Sequence, residues 1–316
     1  MKRVTQSDIA KICGVSVNTV SHALNDKPDI SDEMKRNIKK TAEEMGYIHN
    51  TSASFLRSGI SKSIAVIIGD ISNPHFSILI KEIEEAAKAS GYSAFVLNTD
   101  ENEDAEMEAI ISAISKNVDG IIICPVQKSD KNIKFLLKSK IPFTLIGRHF
   151  DNLDTNYVIL DDEHSGYIAA KYIVERKNKK TAVLTANSYV SSARERMNGI
   201  KKYYRENSIS LSDNDIYEIS VSDFSHKNQM EAILEKGYDS FICFNDLMAL
   251  EILSYTDREP DIVSFDNIRS KFIMPFRFAS ITSSKTKLSH TAVRILLDAI
   301  NGRKTTSQIT LPTKLS

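Results

Sequence analysis

From Ile64 onward, short unbroken apolar runs alternate with longer amphipathic stretches. "IAVIIG" gives way to "FSILIKEIEEAAKASG" and then to "YSAFVLN". The rhythm continues through "VDGIIICP", "IPFTLIG", "TAVLTA", "IYEISV", "DSFICFN", "DIVSFD" and "FASIT". A strand that is apolar on both faces must be covered on both, so such runs predict a parallel sheet with helices on either side. About ten strands over some 250 residues exceed what one doubly wound domain usually holds, and the pattern predicts two similar lobes.

The chain before Ile64 reads differently. Residues 5–46 predict three short helices. Thr5 caps the first and Asp8 completes a capping box, while Ser16 caps the second. Ser31 caps the third, with Asp32 and Glu33 at its positive end and Gly46 closing it. Residues 48–63 are small, polar and Ser-rich, with only Phe55 and Leu56 bulky, as in a linker. The resulting division is a headpiece at 1–48, a hinge or linker at 49–62 and a core at 63–316.

"CGVSVNTVSHALN" (13–25) poses the functional question, because its helix is too short and too polar on one side to serve a core. Placed on a helix-turn-helix template, Ala10 is small where the helices cross, Gly14 takes the left-handed turn and Val15 tucks beneath it. Ile9, Cys13, Val20 and Ala23 lock the pair. Val17, Asn18, Ser21 and His22 then face outward, where a recognition helix meets base edges and phosphates. An ordinary helical hairpin is the bland alternative.

Composition adds little to this. Lys+Arg and Asp+Glu both number 41, yet residues 1–62 hold ten basic against seven acidic residues. Cys13, Cys124 and Cys243 lie far apart in apolar surroundings, which predicts buried free thiols in a reducing compartment. No apolar signal region or membrane-length run occurs, so a cytoplasmic location is expected. The motifs H-E-x-x-H, G-x-S-x-G, G-x-G-x-x-G and the Walker loop are absent, which argues against an enzyme. "DDEHSGY" (Asp161, Asp162, Glu163, His164) reads as a helix start and not a metal site, and no metal or cofactor is expected.

Over residues 4–315 the chain resembles the lactose-repressor (LacI/GalR-type) family of bacterial transcriptional regulators. The stretches that carry the likeness are "VTQSDIAKICGVSVNTVSHALN", "EEMGY", "NTSASFLRSG", "IAVIIGDISNPHF", "VDGIIICP", "SSARERMNGI", "FNDLMAL" and "SFDNI", in that order. The resemblance implies an all-α helix-turn-helix headpiece, a hinge helix and a two-lobed periplasmic-binding-protein-like α/β core with parallel sheets. It further implies a homodimer on a palindromic double-stranded operator, acting as a repressor under a small-molecule effector. A periplasmic binding protein would share the core but has no use for residues 1–60.

DNA contacts implied by the resemblance fall on Thr5, Ser16, Val17, Asn18, Thr19, Ser21, His22 and Asn25, with Asn50, Ala53 and Leu56 in the hinge. Leu56 matches the apolar wedge that a dimer pushes into the minor groove. Two departures are His22, where the family carries arginine, and His49, where it carries proline.

Effector contacts are implied for Asp70, Asn73 and Phe76 after the first strand, and for Arg148, Arg196 and Phe224. Asn245, Asp246 and Asp266 complete the set. Carboxylates, amides, a guanidinium and aromatic faces suit a sugar or sugar derivative; a nucleobase or a protein co-effector is the alternative. Bland readings stay open: Arg196 pairs with a nearby acid, Asp246 caps the helix "LMALEIL", and Phe76 and Phe224 are core residues. Where the family has Asp-Arg, this chain has Gly147-Arg148, and it is short between Asn245 and Asp266.

Overall fold

The computed structural model describes residues 4–48, 59–176, 180–221, 226–268, 278–303 and 305–316. Most of the 49–62 linker, including Asn50, Ala53 and Leu56, lies outside the described residues, as does Phe224. Contacts divide the chain into two compact units, residues 1–61 and 62–316.

The first unit packs α1 (Gln6–Cys13), α2 (Val17–Leu24) and α3 (Asp32–Glu44). Each start follows from its capping residue. Thr5 Oγ1 accepts from the Asp8 amide while Asp8 returns a carboxylate to the Thr5 amide at 2.9 Å. Ser16 accepts from the Thr19 amide at 3.0 Å, and Ser31 from the Met34 amide at 3.3 Å. The turn between α1 and α2 requires a left-handed residue, which Gly14 supplies at φ 65°. Ile9, Ala10, Val20, Ala23, Ile38 and Ala42 form the core, with Cys13 and Val15 packed against it. Cys13 is only partly buried, because it ends α1 at the edge of this small core, whereas Cys124 and Cys243 are buried as expected.

The second unit contains two six-stranded sheets. The first has β1 (Ser63–Ile68), β2 (Ser93–Asn98), β3 (Gly120–Ile123), β4 (Phe143–Ile146), β5 (Tyr157–Leu160) and β11 (Gln308–Leu311). Their order is β11-β5-β4-β3-β1-β2, and every pairing is parallel. The second has β6 (Thr181–Thr185), β7 (Ile216–Glu218), β8 (Ser240–Cys243), β9 (Asp261–Phe265), β10 (Ala279–Thr282) and β12 (Lys314–Leu315), ordered β12-β10-β9-β8-β6-β7. Only β12 runs antiparallel to its neighbour among these pairs.

Helices α4 (Pro74–Ala89), α5 (Glu103–Ser115) and α6 (Lys131–Ser139) flank the first sheet. Around the second lie α7 (Asp162–Glu175), α8 (Ser191–Glu206), α9 (Lys227–Leu234) and α10 (Asp246–Ser254). The last helix, α11 (Lys285–Ile300), follows β10 but returns to the first sheet, where Leu288, Ala292, Val293 and Leu296 join its core. The chain thus passes between lobes three times, after Leu160, after Thr282 and after Leu311.

Two features of this unit bear on the site. At the sheet edge, β2 leaves Phe95 and Val96 exposed. Between α7 and α8, a Cβ on Gly166 would lie 1.9 Å from the Arg196 carbonyl oxygen, and one on Gly199 would lie 1.8 Å from that of Glu163. The two helices therefore touch backbone to backbone, which only glycine allows.

Candidate functional site

In the first unit, α2 presents Val17 and Asn18 to solvent, with Thr19 and His22 half-buried. His22 Nδ1 lies 2.5 Å from Asp29 Oδ2, and this hydrogen bond holds the Asp29 carboxyl below its usual range. Thr5 and Ser16 spend their hydroxyls on capping, so their contribution to a surface is mainly to fix where α1 and α2 begin. Asn25 is exposed and ties back through Nδ2 to the Ser21 carbonyl at 2.7 Å. Ser21 itself corrects the sequence reading. It is 5% exposed, flanked by Val20 and Ala23 on the face that α1 and α3 enclose, and does not join Asn18 outside. Its small size suits it to that crowded face.

In the second unit, a cavity of about 290 Å³ opens where the strands of both sheets end. This is where ligands enter open α/β sheets. Asp70 and Asn73 follow β1; Asn73 Oδ1 accepts from the His75 amide at 2.9 Å and so starts α4. Phe76 forms part of the cavity wall and also packs into the first sheet's core, edge-to-face with His75. Across the cavity Asn245 follows β8 and accepts from the Met248 amide at 2.8 Å. Because each cap fixes the amide oxygen on a backbone N–H, the Nδ2 groups of Asn73 and Asn245 remain as donors.

Arg196 stands in the second turn of α8. Its Nε donates to Asp162 Oδ1 at 2.7 Å and its Nη1 to the Phe244 carbonyl at 2.7 Å. Its guanidinium lies 4.3 Å from the Phe265 ring centroid and 4.9 Å from that of Phe244. Pairing with an acid and lining the cavity thus coexist in this residue. Burial pushes the Asp162 carboxyl up, and the adjacent guanidinium opposes that rise. The Gly166–Gly199 approach brings these two side chains together, each lying one helical turn before its glycine.

Arg148 also lines the cavity, with both Nη atoms on Glu101, at 2.7 and 2.8 Å, and Nη1 on the Pro125 carbonyl at 2.9 Å. The partner absent at Gly147 is supplied by Glu101 from another loop. Asp266 sits at φ 94°, a left-handed conformation unusual for aspartate. Its Oδ1 is 3.3 Å from His75 Nδ1, and its carbonyl accepts from Lys285 Nζ. Burial pushes the His75 imidazole down to about 4, with Asp266 opposing, so the ring is neutral near neutral pH.

Asp246 corrects the sequence reading. It turns away from the cavity into the second lobe, accepting from Ser264 Oγ, from Ser280 Oγ at 2.7 Å and from the Ile268 amide at 2.7 Å. Burial pushes its carboxyl up to about 6. Nor does it cap α10, since Asn245 performs that role.

Several cavity residues escaped the sequence reading: His75, Glu101, Asp162, Ser192 and the pair His226–Glu251. His226 Nδ1 lies 3.0 Å from Glu251 Oε2, and its Nε2 lies 2.9 Å from the Ser220 carbonyl, so the ring bridges two acceptors. Asp162 stood within "DDEHSGY", where the available signal was its place at a helix start. The assembly suits binding: paired charges, fixed amides and apolar walls around a small space. Among the described residues no group of His, Cys, Asp and Glu could hold a metal ion, and no helix is long and apolar enough to cross a membrane.

Comparisons with known proteins agree with both units. Residues 5–50 match the bacterial regulatory proteins of the lacI family, and residues 64–271 match a periplasmic binding protein domain. The HTH-type transcriptional repressor PurR of Mannheimia succiniciproducens is 28% identical over 307 residues, covering 94% of this chain and 92% of that protein. The lac repressor dimer bound to operator and the anti-inducer ONPF matches with TM-score 0.83 at 22% identity, covering 99% of this chain and 98% of that one. The transcriptional regulator CelR in complex with cellobiose matches with TM-score 0.72 at 18% identity, covering 99% and 98%. The chain thus belongs, over residues 64–271, to the periplasmic binding protein domain family, and the helix-turn-helix unit that precedes this domain matches the lacI family of bacterial regulatory proteins, the build of the transcriptional repressors it resembles.

Proposed function

We propose that the chain acts in the cytoplasm as a homodimer that binds an inverted-repeat operator and is controlled by a sugar or sugar derivative. The observation that carries the effector reading is the convergence of Asn73, Asn245, Arg196, Asp266 and Phe76 on one cavity between the lobes. Amide donors, carboxylate acceptors and a flat apolar face are what a polyol ring requires. CelR, which shares this fold, was solved with cellobiose.

On the DNA side, Asn18, Val17 and His22 reach the major groove, and Leu56 acts as the minor-groove wedge. A short helix such as α2 makes too few base contacts alone, and two-fold symmetry doubles them. The exposed Phe95 and Val96 on the β2 edge support dimerisation through the first lobe. Effector binding between the lobes shifts them, which alters whether paired hinges form, and operator must alter effector affinity by the same factor. A nucleobase is the second reading, favoured by Phe76 and Phe244, two aromatic side chains that line the cavity.

The test is operator affinity by fluorescence anisotropy, with thermal shift, across a carbohydrate panel and a nucleobase panel. A sugar that raises the melting temperature and changes operator affinity is the expected result. If only nucleobases do so, the second reading replaces the first.

A further inference from the structure

Among the described residues that line the effector cavity, both guanidiniums are already paired with carboxylates. Five carboxylates line it, Asp70, Glu101, Asp162, Glu251 and Asp266, against two guanidiniums. Both guanidiniums are committed, Arg148 through a two-pronged bond to Glu101 and Arg196 to Asp162, and all four side chains are nearly buried. His226 is bound to Glu251, and the neighbouring Lys285 ammonium is held on the Asp266 carbonyl.

One first-turn amide in each of four helices near the cavity is bound within the protein. Asn73, Asp161 and Asn245 accept from the first turns of α4, α7 and α10. The first amide of α8, Ser191, donates to Gln127 Oε1 at 2.9 Å.

We infer that this repressor responds to an electrically neutral, hydroxyl-rich effector and rejects its phosphorylated or carboxylated forms. The inference rests on the cavity being the effector site. An anionic ligand would meet the Asp70 and Asp266 carboxylates, and could pair with either guanidinium of the described cavity wall only by opening a buried ion pair. Neutral hydroxyls lose nothing by comparison, since they donate to those same carboxylates and accept from the Asn73 and Asn245 amides. Selection against charge thus needs no steric gate.

Isothermal titration calorimetry on the full chain tests this with matched pairs. Glucose is set against glucose 6-phosphate and glucuronate, ribose against ribose 5-phosphate, cellobiose against cellobionate, and adenine and hypoxanthine against their nucleoside monophosphates. The expected result is a neutral binder whose anionic counterpart binds at least about tenfold more weakly, with the gap narrowed by about tenfold in Asp266→Asn or Asp70→Asn. A neutral nucleobase that binds while no sugar does would remove the sugar reading yet uphold the charge rule. The inference is overturned if an anionic member binds as tightly as its neutral partner. It is equally overturned if no neutral member binds, or if neither substitution narrows the gap.

Discussion

Gly166→Ala should damage the cavity between the lobes although residue 166 does not line it. The added Cβ would stand 1.9 Å from the Arg196 carbonyl oxygen, a backbone atom that cannot rotate away. Ordinary contact starts near 3.4 Å, so α7 and α8 must separate by about 1.5 Å. Overpacking of this kind costs about 1–3 kcal/mol. Separation also pulls Asp162 from Arg196, and fully breaking a buried pair costs about 3–5 kcal/mol. Since the pair is stretched and not severed, we expect about 4 kcal/mol of destabilisation in all, which is exceptional for a single methyl group. Urea denaturation of Gly166→Ala, Gly199→Ala and the double variant measures it. Both substitutions are relieved by one movement, so the double variant should lose clearly less than the sum of the singles. Stability of Gly166→Ala within about 0.5 kcal/mol of wild type, with an unchanged effector response, would refute the reasoning.

Three further outcomes follow from named groups. Burial pushes Glu195 up to about 7, Asp162 adding to the rise and Arg194 opposing it, so the folded state holds a proton that the unfolded chain releases above about 4.5. Its contribution is present below that value and lost as pH rises through 7; wild type should lose about 2–3 kcal/mol relative to Glu195→Gln between pH 5 and 8, measured by denaturation at each pH. Asn18→Ala should change operator preference by about 1–3 kcal/mol at one base position, read from binding to a library of variant sites; an unaltered preference would remove Asn18 from base contact. Val96→Asp should convert a dimer to a monomer in sedimentation velocity, and a persistent dimer would place the interface away from the β2 edge.

The headpiece was almost fully legible because short helices declare themselves locally: Thr5, Ser16 and Ser31 cap, Gly14 turns, and Ile9 and Val20 pack. Ser21 was misread because eight residues give too little periodicity to tell the flank of a face from its outside. In the core, interior strands such as "IAVIIG" stood out, whereas β5, β11 and β12 did not. Those are short, and β11 and β12 are edges with exposed positions that break the apolar run. The residues after β1 and β8 were readable because a parallel strand's carboxyl end is a fixed place. Partners such as Glu101 for Arg148 were not, since they meet from separate loops and no local pattern records it.

The three passages between lobes also bear on how the chain is made. Synthesis delivers β1 to β5 first, yet the first sheet lacks its edge strand β11 and its covering helix α11 until residues 285–311 appear. A ribosome-bound chain therefore carries an uncovered apolar surface over Ile64, Val66 and Ile122 while the entire second lobe is being translated. Folding of the lobe encoded first must wait until residues 285–311 have been made. Such long-range closure is slow and exposes intermediates to aggregation, so chaperone demand should persist until α11 and β11 have been made. Losing the C-terminal segment would then harm the first lobe as much as the second.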